Sequence, residues 1–398
     1  MAETDPRVAE FQGLYGPFTV AERVIQKIWL HGDFDRSRLV LLDGRPLRIE
    51  TAGDWNLLGG PDFRAAGLTI AGERVTGDVE VHFHVGDWRA HGHGANPTFA
   101  GVALHVVLFP PSPSWRPEPD EPPVLVLLPY LHRDLEEYAA DEALEQLTAR
   151  DDWRRFAQLS ALAPEDVRSR LEALAMERWS GKVRTAARRI ERLGWHEAAH
   201  HTALEILGYR HNRGPMLTLA ARRSLAEWAR AEPDGWFDEM GDDWRRHGVR
   251  PANHPRTRLR QYAAWVRDRP DWPAALLRVG EDALHGWAGP ALSGSTALTR
   301  RAGLTAWARR LAEQVVAGQV GGTRFNTLVC DGFLPLLAAR REAEAWQAAW
   351  FHWFVGDQPA QLARTLRRLG VSGRPAQSHC HGLAQGLLGW LLKNENRA

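Results

Sequence analysis

The sequence predicts an α+β fold, in which an N-terminal αβ segment is followed by a mostly α-helical region. Three observations predict it. Short apolar runs with strand-like alternation lie before residue 131, as in VTGDVEVHFHV and GVALHVVLF. From Arg133 onward, apolar residues recur at three- and four-residue spacing instead. A stiff stretch with seven prolines between Pro110 and Pro123 precedes VLVLLPYL, the last strand-like run.

The elements follow in order. In AERVIQKIWLHG, Val24, Ile25, Ile28 and Trp29 recur at helical spacing, and Thr19 with Glu22 three residues on suggests a capped start. RLVLLDGRPLRIE reads as a hairpin turning at Asp43-Gly44. AAGLTIAG and VTGDVEVHFHV read as two further strands, and GVALHVVLF as another after a short connection. Beyond them, DLEEYAADEALEQLTAR, PEDVRSRLEALAMERWSGKVRTAARRIERLG, HEAAHHTALEILGY and PMLTLAARRSLAEWARAE all read as helices. We therefore expect one domain over residues 1–130 and a helical domain over 131–398.

Composition narrows the class. Fifty Lys and Arg against 49 Asp and Glu give a net charge of +1, so any argument for an anionic partner must be local. The start MAETDPRVAEFQ lacks a basic, apolar leader, and only Cys330 and Cys380 are present. No apolar run approaches the ~20 residues that a membrane span requires. A cytoplasmic protein with no membrane partner is expected; its protein partners are not legible.

The densest chemical signal is histidine. His82, His84, His91, His93 and His105 fall within 24 positions, where about one histidine is expected by chance. In GDVEVHFHV, period two places Asp78, Glu80, His82 and His84 on one strand face, and Val79, Val81, Phe83 and Val85 on the other. The apolar side packs; the polar side faces water, a ligand or a metal. Upstream, a Gly-Gly-Pro turn sets Asp62 at the entrance of the preceding strand, where it can meet Glu80. Two converging carboxylates repel unless a cation sits between them, and hard oxygen ligands suit magnesium or manganese.

Pro61-Asp62, a strand, and then Glu80-Val81-His82 resemble the PD-(D/E)XK nuclease signature, in which an acidic-x-lysine pair ends the strand after the aspartate. The resemblance implies a restriction-endonuclease-like αβ core. It implies that Asp62 and Glu80 ligate a divalent metal, that His82 stands where the family's lysine orients water, and that Glu22 matches a helix glutamate found in many members. His84 would be a further ligand, with Asp87, His91, His93 and His105 around it. A second resemblance spans most of the chain. AERVIQKIW, GPDF, GDVEVH, DW, HGH, LHVV, RPANHPRTRL and FNTLVCDGFLP occur in the order found in the bacterial domain-of-unknown-function 2851 family. Membership implies a bacterial protein and no particular activity. Some relatives end in a cysteine cluster; here only His379, Cys380 and His381 remain, and no zinc is assigned to them.

Other segments compete for function. Gly77, His82, His84 and Gly94 roughly follow the metal strand of cupins, with Asp87 in place of a glutamate, although the helical remainder lacks the strands of a β-sandwich. HEAAH places His196 and His200 one helical turn apart around Glu197, as in zinc peptidases. Ala203 and Ile206 occupy the positions where an extended motif needs glycine and histidine, so a solvated helix face is the preferred account. VRPANHPRTRLRQ gathers Arg250, Asn253, His254, Arg256, Arg258 and Arg260, a display suited to nucleic-acid phosphates or, equally, to pairing with carboxylates. The functional expectation is a metal-dependent nuclease acting on DNA or RNA. The alternatives are a non-catalytic nucleic-acid or protein-binding module on a degenerate nuclease fold, and a cupin-like metal-dependent enzyme.

Overall fold

A computed structural model describes residues 8–13, 16–149, 153–209, 212–230, 232–246, 249, 251–286, 294–373 and 378–394. It is α+β: a mixed sheet with one long helix comes first, and helices follow. The chain divides into two compact units, Met1–Ala139 and Ala140–Ala398.

In the first unit, β1 (Val8–Gly13) and β2 (Gly16–Ala21) form an antiparallel hairpin. Helix α1 (Glu22–His31) follows directly, and it buries Val24, Ile25, Ile28 and Trp29, the four residues whose spacing predicts it. Thr19 is not its cap: it pairs with Glu10 inside the hairpin, and Ala21 takes the cap position with extended backbone. The main sheet runs β3 (Leu39–Val40), β4 (Pro46–Thr51), β6 (Phe63–Ile70), β7 (Glu73–His82), β8 (Val102–Val107), β9 (Val124–Val126), with the short β5 (Asp54–Trp55) also beside β6. Pairing is antiparallel from β3 to β7 and parallel from β7 to β9. Parallel strands need a crossover, and the one between β7 and β8 carries the four-residue helix α2 (Asp87–Ala90) and two single 3₁₀ turns. Parallel neighbours along one side of a mixed sheet do not match the antiparallel sandwich of a cupin.

Two local features aim the strand ends. Between Phe63 and Ala66 the β6–β7 register slips, Ala65 adopts a positive φ of 54°, and its N–H donates to Asp78 Oδ1 at 3.1 Å. Such a bulge bends a strand and redirects its end; here that end carries Asp62. On the far side of Asp62, Gly60 has φ 100°, a conformation open to glycine, and the Asn56 side chain ties the turn through the carbonyls of Gly59 and Pro61. Trp29 stacks on Phe34, donates to the Ala52 carbonyl at 3.0 Å, and lies against Phe63, which fixes α1 near the same strand end.

The second unit is helical among its described residues. Its longest element, Pro164–Leu207, is kinked at Gly194, whose φ 75° and ψ 168° leave the helical region. The core contains six fully buried tryptophans, Trp228, Trp265, Trp272, Trp346, Trp350 and Trp353, which therefore fill space and are not available to stack on bases. No helix among the described residues is long and apolar enough to cross a membrane.

Candidate functional site

Asp62 and Glu80 meet. The Asp62 N–H donates to Glu80 Oε2 at 2.9 Å, and the Val81 N–H donates to Asp62 Oδ2 at 3.0 Å. Asp62 Oδ1 also accepts from Gln26 Nε2 at 2.8 Å. Gln26 stands four residues after Glu22 on α1, so one helix face presents both toward the strand ends. The site thus gathers Glu22, Asp62 and Glu80. Sequence reasoning missed Gln26, although its one-turn spacing from Glu22 was readable.

The polar face of β7 does not open to water. Glu80 is 6% and His82 1% exposed, because the crossover folds Trp88 and Phe99 over it. Phe99 stacks on His93 at 3.8 Å between centroids, and Trp88 lies near both His93 and His105. Burial first, then the charges of Asp62 and Glu22, push the Glu80 carboxyl up to about 9. Burial and the neighbouring imidazoles His105, His91 and His93 pull His82 down to about 2. Burial does the same to His93, with a smaller push from His91, to about 4, and to His105, at about 3. These three imidazoles are neutral at pH 7 and offer lone pairs.

Histidines cluster around His82. Its Nδ1 lies 2.9 Å from His105 Nε2. Its Nε2 lies 3.1 Å from His91 Nδ1, 3.4 Å from His93 Nε2 and 3.5 Å from Glu80 Oε1. His93 Nε2 is 3.3 Å from the same Glu80 oxygen. One donor atom each from His82, His91 and His93 lies within 4.8 Å of the other two, a spacing that can hold a metal ion.

His84 does not join them. β7 ends at His82, and the alternation that placed His84 beside it ends there too. His84 is exposed, stacks on Phe109 at 5.2 Å, and donates its N–H to Asp87 Oδ2 at 2.8 Å. Asp87 therefore closes the turn into α2.

A family profile described as a protein of unknown function (DUF2851) matches residues 22–234. The chain belongs to this family. The DUF2851 match begins at the first residue of α1 and takes in Glu22, Asp62, Glu80 and the four clustered histidines. Searches of curated proteins and of solved structures gave no match.

HEAAH also lies inside the DUF2851 match but builds no metal site. His196 pairs with Asp271 at 3.1 Å, whereas His200 is wholly buried between the Tyr262 hydroxyl at 2.7 Å and the Arg223 carbonyl at 3.0 Å. The Glu197 carboxylate accepts the Leu225 N–H. The helix face is thus only partly solvated.

The arginine segment lies beyond the match, and Arg250 is outside the described residues. Arg260 makes two bonds to Asp234, at 2.8 and 2.7 Å. Arg256 pairs with Asp238 at 2.7 Å and covers the Phe237 ring. Arg258 is buried on Asn253 and Gln261, and His254 packs near Phe237. These guanidiniums serve carboxylates and amides of their own unit. That pairing is the second of the two uses that the sequence left open for them.

Proposed function

We propose that this chain is a divalent-metal-dependent hydrolase of nucleic-acid phosphodiester bonds, working at Glu22, Asp62 and Glu80. The observation that supports it best is the convergence of Asp62 and Glu80 across the ends of β6 and β7. It occurs in a core whose order of helix, antiparallel strands, crossover and parallel strands resembles that of PD-(D/E)XK nucleases. The acidic group fits a cation by its chemistry. Glu80 is held protonated by burial and by two neighbouring carboxylates, and a cation removes that penalty. Magnesium or manganese held there supplies Lewis acidity toward a phosphoryl oxygen and lowers the pKa of nearby water.

The protein groups do the positioning. Val81 N–H and Gln26 hold the Asp62 carboxylate, and the Asp62 N–H holds Glu80. His82 occupies the position of the nuclease lysine, but its ring is buried and both its nitrogens face other side chains. Its part is therefore to orient Glu80, and water activation falls to the acidic residues.

The test is cleavage of labelled single- and double-stranded DNA and RNA by the purified chain with magnesium, manganese or chelator, beside Glu80→Gln. Chelator-sensitive cleavage that disappears in Glu80→Gln is the expected result. The burial of His82 favours one second reading, a non-catalytic binding module. Binding without cleavage under both metals would select it.

A further inference from the structure

Glu80 has two sides. Its Oε2 accepts from Asp62, while Oε1 faces the histidines. On the Oε1 side, more polar atoms crowd His82 Nε2 than it can bond. A neutral imidazole nitrogen carries either one hydrogen or one lone pair. His82 Nε2 nonetheless has His91 Nδ1, His93 Nε2 and Glu80 Oε1 all within 3.5 Å, and its one hydrogen or lone pair serves a single one of them. A central cation accepts all of these lone pairs at once.

We propose that Glu80 Oε1, His82 Nε2, His91 Nδ1 and His93 Nε2 form a closed, tetrahedral site for a transition-metal dication of the zinc class, separate from the acidic side of Glu80. The separations point to a tetrahedron. Ligands about 2.0–2.1 Å from a zinc ion at tetrahedral corners stand about 3.3–3.4 Å apart. Octahedral magnesium at similar bond lengths brings adjacent ligands to about 2.9 Å. Four of the six edges of such a tetrahedron are 3.1, 3.3, 3.4 and 3.5 Å, and the three histidines offer nitrogens within 4.8 Å of one another. Three imidazoles and one carboxylate also suit zinc, and hard magnesium prefers oxygen.

The surroundings match this assignment. With Nε2 ligating, His82 carries its proton on Nδ1 and donates to His105 Nε2 at 2.9 Å. A bond from the distal nitrogen of a ligating histidine to an outer partner fixes the ring and its tautomer. Four protein donors leave no open coordination position, the mark of a structural centre. What this centre would hold is the crossover: His91 and His93 follow α2, whereas Glu80 and His82 sit on β7. The ion would therefore pin the crossover to the sheet beside the acidic residues.

The test uses the full chain purified without chelator. Metal content after desalting is measured by plasma mass spectrometry, visible absorption is read after exchange to cobalt(II), and the thermal midpoint is taken before and after chelation. Expected are one zinc-class ion per chain, the intense bands of tetrahedral cobalt, and a lower midpoint on chelation. His93→Ala and the more exposed His91→Ala should each lose the ion and the chelator effect. Absence of a retained transition metal in wild type, octahedral cobalt bands, or undiminished retention in both variants overturns the proposal. A loaded centre without nucleic-acid cleavage would sink only the hydrolase reading. Magnesium-dependent cleavage by a chain that retains no zinc-class ion would sink only this centre.

Discussion

The N–H of Asp62 reaches Glu80 Oε2 at 2.9 Å, so the two acids stand side by side across β6 and β7 with Glu80 bearing the electrostatic cost. Asp62 is, after burial, the largest cause of the raised Glu80 pKa. Asp62→Asn removes that charge while keeping the shape and the main-chain bond. Cobalt(II) should then bind the Glu80–histidine group more weakly at pH 7, because the lost carboxylate attracts a dication more strongly than it holds a single proton on Glu80. Hydrolysis should be lost in the same variant. Isothermal titration with cobalt checks the first effect; unchanged or tighter affinity in a folded variant counts against the coupling.

The raised Glu80 pKa also has a stability consequence. A carboxyl whose folded pKa lies at about 9, against 4.5 unperturbed, stabilises the fold fully below pH 4.5 and loses that contribution as pH rises through 9. The depressed histidines lose theirs only below pH 6.5, so the window from pH 7 to 9 isolates Glu80. Metal-free protein should lose up to roughly 1.4 kcal/mol per pH unit there. Glu80→Gln should flatten the slope. Hydrogen exchange of the β7 and β8 amides at pH 7, 8 and 9 measures it within the first unit.

His105 touches the cluster through His82 alone among the recorded hydrogen bonds. If it orients that ring, His105→Ala should weaken cobalt affinity by roughly 10–100-fold without changing the number of ions bound. The shape of the cobalt spectrum should broaden as the His82 ring loses its fixed tautomer. Equal affinity and an identical spectrum would reduce His105 to core filling.

Much of the first unit was legible because its patterns are local. The spacing of Val24, Ile25, Ile28 and Trp29 marked α1, and Asp43-Gly44 marked the β3–β4 turn. The pairing of Asp62 with Glu80 followed from adjacent strands and their shared parity. The histidine site was only half legible. Alternation links residues along one strand, so it joined His82 to His84, but the ring contacts come from a crossover that returns His91 and His93 over the strand end. The bulge opposite Asp78 leaves no periodic trace either. In the second unit, the arginines of RPANHPRTRL were readable as charges but not as pairs. Their partners Asp234 and Asp238 lie on the preceding helix, Pro233–Met240, whose packing no local spacing reveals.

HEAAH separates a motif from a site in the second unit. His200 is pulled down to about 3, chiefly by burial, and it bridges Tyr262 and Arg223 without facing any carboxylate triad. A folded pKa below the unperturbed 6.5 means that stability is present above pH 6.5 and lost as pH falls toward 3. His200→Gln should therefore remove up to about 1.4 kcal/mol per pH unit of acid sensitivity between pH 6 and 4. His200→Ala should cost about 1–3 kcal/mol at pH 7, because it strands the buried Tyr262 hydroxyl. Denaturant unfolding followed by tryptophan fluorescence at pH 7, 6 and 5 reads both effects. Neither variant should change the metal content, whereas a loss of bound ion in His200→Gln would return HEAAH to the list of ligands.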